Sequence, residues 1–139
     1  MITINQLREN SMRYIDSQSV ALIYLLKVID ECLVFDHKTV IYPKNLYCRD
    51  KSLILYIFTS DYQLIRLSYD AETVSMITRD LNHLIKSQYL ISNQESQLSL
   101  MFEDEIIYLY PKMDTTPPYV KEFNSQLILI CKYLQEKGK

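Results

Sequence analysis

The chain has 139 residues, with 15 basic and 17 acidic side chains, a net charge of −2, one glycine and 48% hydrophobic residues. That is enough apolar material for one ordinary core, so a single domain over residues 1–139 is expected, and the charge balance gives no overall attraction to a polyanion. With glycine only at Gly138, no loop can bring its backbone close to a phosphate, which excludes phosphate-loop and dinucleotide-binding chemistry.

No window reaches the roughly 18–20 apolar residues of a membrane span, because the richest run, residues 20–35, is broken by Lys27, Asp30 and Glu31. The first residues lack a basic start, an apolar stretch and a cleavage site, so the cytoplasm is the expected compartment. Cys32, Cys48 and Cys131 have no pairing or metal-ligand spacing and are expected to be reduced, buried thiols.

The first predicted element is a helix over residues 16–35. Ile15, Leu22, Leu26, Ile29 and Leu33 recur at helical spacing, and Asp16 or Ser17 supplies a cap. Val20, Ile23, Leu25 and Val28 widen the apolar stripe beyond what one neighbour needs. Residues 38–69 stay open between two readings. One has strands over 39–42, 52–59 and 63–69 with a turn at Ser60 and Asp61. The other has short helices capped by Asp50 or Ser52 and by Asp61.

A second amphipathic helix is predicted from a cap at Asp70 or Thr73. Val74, Ile77, Leu81, Leu84 and Ile85 would face inward, with Ser75, Thr78, Arg79, Asn82, His83 and Lys86 outward. Residues 89–91, a polar stretch over 92–97, then 98–102, an acidic turn at 103–105 and 106–110 read as a hairpin that Pro111 ends. Asp114 to Pro118 would open a last helix whose seam is Val120, Phe123, Leu127, Ile130 and Leu134.

Catalytic signals are thin. His37 and His83 are the only histidines and sit in no recognised motif, and Glu103, Asp104 and Glu105 read as a solvated turn. Neither an enzyme, a cofactor nor a metal is expected. The outer face of the second helix fits nucleic acid better: Arg79 to guanine edges, Asn82 to adenine, and Ser75, Thr78 and Lys86 to phosphates.

The run MITRDLNHLIKSQYLI resembles the recognition helix of MarR-type winged-helix regulators, and the order of elements is similar to their SarA-like branch. The resemblance places Thr78 and Arg79 on the family's Thr-Arg pair and the wing on residues 92–97, and His83, Asn93 and Gln94 join the residues expected to contact DNA. It implies an α+β, mainly α fold: a winged helix-turn-helix with long N- and C-terminal helices. Those helices would form a homodimer through Leu22, Leu26, Ile29, Phe123, Leu127, Ile130 and Leu134, and the partner would be DNA. The alternative is a two-layer module with the order helix, three strands, helix, two strands, helix. That order is similar to small acidic secretion chaperones, and immunity or inhibitor proteins fit it too; such a module binds another protein.

Overall fold

The computed structural model describes residues 1–13 and 17–137. The chain opens with two helices, α1 (Ile4–Arg13) and α2 (Ser17–Cys32). Four strands follow in antiparallel order, β1 (Val40–Lys44), β2 (Ile54–Phe58), β3 (Gln63–Asp70) and β4 (Thr73–Asp80). A 3-10 turn, Leu81–His83, leads to a second antiparallel sheet of β5 (Lys86–Ser92), β6 (Glu95–Met101) and β7 (Ile106–Leu109). A short helix α3 (Pro111–Asp114), a second 3-10 turn (Pro117–Tyr119) and the long helix α4 (Val120–Lys137) complete it.

The winged helix-turn-helix is therefore corrected: residues 73–86 form an edge strand and a 3-10 turn where a recognition helix was expected. Thr73, Val74, Ile77 and Thr78 are β-branched and stiff in a helix, and all eight residues of β4 find partners on β3, from Asp70 opposite Thr73 to Gln63 opposite Asp80. Residues 38–69 resolve as the three strands of the alternative reading. That alternative also misplaces 73–86, because it too needed a helix there. The wing over 92–97 is mostly strand, with only Asn93 and Gln94 left as the turn between β5 and β6. Helix α1 was not foreseen; it is polar except for a few residues such as the fully buried Leu7, and Arg8 ties it to α2 through Asp30. Ile15 and the cap at Asp16 lie outside the described residues.

Alternation assigns the faces of the first sheet. Tyr42, Tyr56, Phe58, Leu64 and Arg66 share one face, where Tyr42 meets Phe123 at 5.4 Å and Phe58 meets Tyr133 at 5.6 Å, so this face packs on α4. The other face holds Leu55, Ile57, Ile65, Leu67 and Tyr69, and Tyr69 stacks on Tyr24 of α2 at 4.9 Å. In the second sheet Ser96, Leu98, Leu100, Ile107 and Leu109 point inward and are buried. Buried side chains from the first residues to α4 form one cluster.

The expected dimer seam lies inside this core. Leu22, Leu26, Ile29, Phe123, Leu127 and Ile130 are each buried against the chain's own sheets, and Leu134 is half-buried. The wide stripe on α2 resolves differently for different residues: Leu25 is buried, Val28 packs partly on the core, and Val20 and Ile23 stay exposed. Cys48 and Cys131 are half-buried, but Cys32 is exposed, against the expectation of a core thiol. No helix among the described residues is long and apolar enough to cross a membrane.

Candidate functional site

Strand alternation scatters the residues expected to read DNA. Ser75 and Arg79 lie on the β4 face turned toward the second sheet, while Thr78 lies on the opposite face with Ile65 as its cross-strand partner. Asn82 and His83 sit in the exposed 3-10 turn, Lys86 begins β5, and Asn93 and Gln94 form the β5–β6 turn. No single surface presents them together.

Arg79 is already engaged. Its terminal nitrogens donate to both carboxylate oxygens of Asp104 at 2.8 and 2.9 Å, its Nε donates to Glu105 at 2.8 Å, and its guanidinium lies 4.8 Å over the Phe102 ring. Arg66, one strand further in, donates to both oxygens of the same Glu105 at 2.9 and 3.0 Å. The acidic turn is thus not merely solvated: Asp104 and Glu105 reach back from the β6–β7 connection and clasp the two sheets. Hydrogen bonds from Arg79 hold the Asp104 carboxyl below its ordinary range. Asn82 is likewise committed, since its backbone N–H and its side-chain amide both donate to Asp80 at 2.9 Å. The first of these bonds is the main cause of the lowered Asp80 carboxyl.

What segment 73–92 does present is backbone. Each sheet has two edge strands, and an open edge is a template for another chain unless something guards it. On β1, Pro43 removes a donor, and Gln126, buried in α4, donates to the Ile41 carbonyl at 2.6 Å while holding Ile2 through both its backbone N–H and carbonyl. On β7 the strand is four residues long, Pro111 follows it, and Lys44 Nζ donates to the Tyr108 carbonyl at 2.7 Å.

Among the described residues, nothing of that kind guards the remaining edges, β4 and β5. The register of β4 is unbroken over eight residues and that of β5 over seven, neither contains proline, and charge is confined to Arg79 and Asp80 at the end of one and Lys86 at the start of the other. Met76 and Ile77 are each 45% exposed, Leu90 is 51% and Ile91 70% exposed. In β5 only Tyr89 packs partly on the core, so the strand is open on both faces as well as along its edge.

The two edges are also held in fixed relation. Leu81 is buried and donates its N–H to the Tyr62 carbonyl at 3.1 Å, Ile85 donates to Met101 at 2.8 Å, and the arginine clasp fixes β4 against the β6–β7 turn. A rigid edge loses little entropy when it captures a partner. Sequence reasoning turned Ile77 inward on a helix, gave Met76 no role, and took Leu90 and Ile91 for the entry to a wing. The signal for them was the pair of seven- to eight-residue runs flanking Ala71–Glu72 and Asn93–Gln94.

A hollow of about 440 Å³ lies between the first residues, the loop before β1 and α4, with His37, Lys38, Lys132 and Glu136 at its rim. Its best-placed buried polar groups are used internally: Gln126 as above, and Tyr133, whose hydroxyl donates to the Thr59 carbonyl at 2.6 Å. It therefore offers a ligand fewer directed contacts than the strand edges offer a peptide.

The architecture defines an α+β protein with two antiparallel sheets and a pair of unguarded edges. The family model described as "Protein of unknown function (DUF3908)" matches residues 3–125, and the chain belongs to that family. This corrects the resemblance to MarR-type and SarA-like regulators. No curated protein and no solved structure matches the chain.

Proposed function

We propose that this chain is a protein-binding module, without catalytic activity of its own, that captures an extended segment of a partner by strand addition within residues 73–92. The observation that carries this reading is the contrast among the four sheet edges: β1 and β7 are guarded, and β4 and β5 are long, unbroken, nearly uncharged and exposed. In strand addition the main-chain hydrogen bonds supply affinity, each contributing about 0.5–1.5 kcal/mol, and alternate side chains supply selectivity. Met76 and Ile77 on β4, and Leu90 and Ile91 on β5, are the selectivity contacts on offer. The working compartment in this reading is the cytoplasm, which suits three unpaired cysteines.

A displayed library of peptides about ten residues long, the length of a long strand, provides the probe. Peptides with alternating apolar residues are the expected winners, protecting β4 or β5 amides from hydrogen exchange and losing affinity at least tenfold against Met76→Lys or Leu90→Lys. A library that yields no binder, or binders that protect no amide in 73–92 and ignore both variants, overturns the reading.

A further inference from the structure

We infer that the hollow beside β1 is a binding site for a small carboxylate with an apolar body, one of whose oxygens accepts a hydrogen bond from the main-chain N–H of Ile41. The site is separate from the strand edges of residues 73–92 and does not depend on them.

The pairing of the first sheet singles out this N–H. The Thr59 N–H donates to the Gln63 carbonyl at 2.9 Å, so Thr59 and Gln63 form a hydrogen-bonded pair. Hydrogen-bonded and open pairs alternate along an antiparallel ladder. The main-chain groups of Ile57 and Leu55 therefore turn toward β3, and those of Phe58, Tyr56 and Ile54 toward β1. Ile41 and Pro43 lie opposite Ile57 and Leu55, so their own main-chain groups point away from β2. Pro43 has no N–H to leave unpaired. At Ile41 the carbonyl accepts from Gln126 Nε2 at 2.6 Å, but the N–H finds no acceptor among the described residues, and the residue is only 3% exposed. Buried main-chain donors are almost always paired, so an orphan of this kind calls for a specific cause.

The hollow supplies one. Ile41 and Gln126 both line it, on the side to which the N–H is turned, and its volume of about 440 Å³ falls within the range of roughly 300–1,000 Å³ usual for small-molecule sites. Ile2, Ile4, Phe35 and Leu129 give it apolar walls. The polar groups among them are spent: Gln126 Oε1 accepts from the Ile2 N–H at 3.0 Å, its Nε2 also donates to the Ile2 carbonyl at 3.3 Å, and the Tyr133 hydroxyl proton goes to the Thr59 carbonyl. What is left over is a donor, so an occupant must be apolar in body and must bring an acceptor oxygen.

Charge at the rim makes that oxygen part of a carboxylate. Asp36 is committed to its own loop, where Ser60, the Lys38 N–H and the Thr39 hydroxyl hydrogen-bond to its carboxyl and hold it below the usual range. Lys38 and Lys132 have no carboxylate partner among the described residues, and Glu136, one turn beyond Lys132 on α4, is the one uncommitted acid beside them. Two free lysines against one free glutamate favour an anion at the mouth.

Titration of the isotope-labelled full chain with octanoate, followed through its amide resonances, tests this. Octanoate is expected to bind saturably at millimolar concentration or below and to move the Ile41 amide proton downfield. Octylammonium, with the same body but a cationic donor in place of the anionic acceptor, should leave that resonance unmoved. Lys132→Glu, at an exposed position, should weaken octanoate about tenfold with the circular-dichroism spectrum unchanged. An Ile41 amide indifferent to octanoate, octylammonium binding as tightly as octanoate, or undiminished affinity in Lys132→Glu overturns the inference. So do shifts confined to Met76, Ile77, Leu90 and Ile91, which would mean that the acid merely coats exposed apolar surface. Met76→Lys should not change octanoate affinity, so failure of this site and failure of peptide capture are told apart in the same two variants.

Discussion

The guarded and unguarded edges of this molecule sit at opposite ends of a gradient in polar burial. Around β1, the Ile41 N–H apart, the polar groups are deep and saturated. Asp114 is buried and accepts from Tyr42 Oη at 2.7 Å and the Tyr110 N–H at 2.7 Å, lies 3.0 Å from Lys44 Nζ, and gives its own carbonyl to Asn45. Burial, and then the Asp114 carboxylate, push the Tyr42 hydroxyl up. Around β4 and β5 the side chains are exposed and the backbone edge is left to solvent. A polar group saturated inside the chain holds the fold together, whereas an unsaturated edge can act on another molecule.

The contrast breaks first at Asp114. Asp114→Ala should cost about 3–5 kcal/mol, because it strands the Tyr42 hydroxyl and the Tyr110 N–H and leaves the Lys44 ammonium with the Tyr108 carbonyl but no counter-charge. Urea denaturation would show this as a midpoint lowered well beyond that of Met76→Lys, which should stay within about 0.5 kcal/mol of wild type, as exposed positions do. Equal costs at the two sites would mean that β4 is not the free surface its exposure describes.

A smaller effect is expected at the clasp between the sheets. Arg79→Met keeps the packing over Phe102 but removes the bonds to Asp104 and Glu105, and should lower the urea midpoint by clearly less than Asp114→Ala does. The acid dependence gives the sign. Asp104 has a lowered carboxyl in the folded chain, so its contribution is present above the ordinary value of 3.8 and is lost as pH falls. Wild type should therefore lose more stability than Arg79→Met between pH 5 and the acid limit. Parallel curves for the two proteins would remove the clasp from the account.

The helices α2 and α4 were legible because each buries one face, and burial of one face is what writes a helical period into a sequence: Leu22, Leu26 and Ile29 in one, Phe123, Leu127 and Ile130 in the other. The three strands of residues 38–69 were legible only as one of two options, since β2 is buried on both faces and its run of apolar residues has no period at all. β4 and β5 failed for the opposite reason. Both are exposed on both faces, so no alternation records their state, and Val74, Ile77 and Leu81 happen to fall at helical spacing. Residues 73–92, expected as the side chains of a helix and a wing, are instead the strands of two sheet edges, and it is the proposal of strand addition that rests on them.

The turns that build those edges hid the strands as well, and they carry the smallest and most specific prediction. A two-residue hairpin turn with positive φ at both positions ordinarily uses Asn-Gly, yet here Ala71 and Glu72 adopt φ of 48° and 64° between Asp70 and Thr73. Each non-glycine residue in that region costs about 1–2 kcal/mol, so the hairpin is held by its eight pairs and not by its turn. Ala71→Asn with Glu72→Gly should relieve this strain, less about 0.5–1 kcal/mol for the added freedom of glycine when unfolded, for a net gain of about 1 kcal/mol and about 3 °C in Tm. Because the turn lies at the far end of β4 from the clasp, peptide capture along the strand should keep its affinity in the same variant. A fall in Tm would mean that Ala71 or Glu72 makes a contact outside the hairpin, and a fall in affinity with Tm raised would place the docking segment across the turn instead of along the edge.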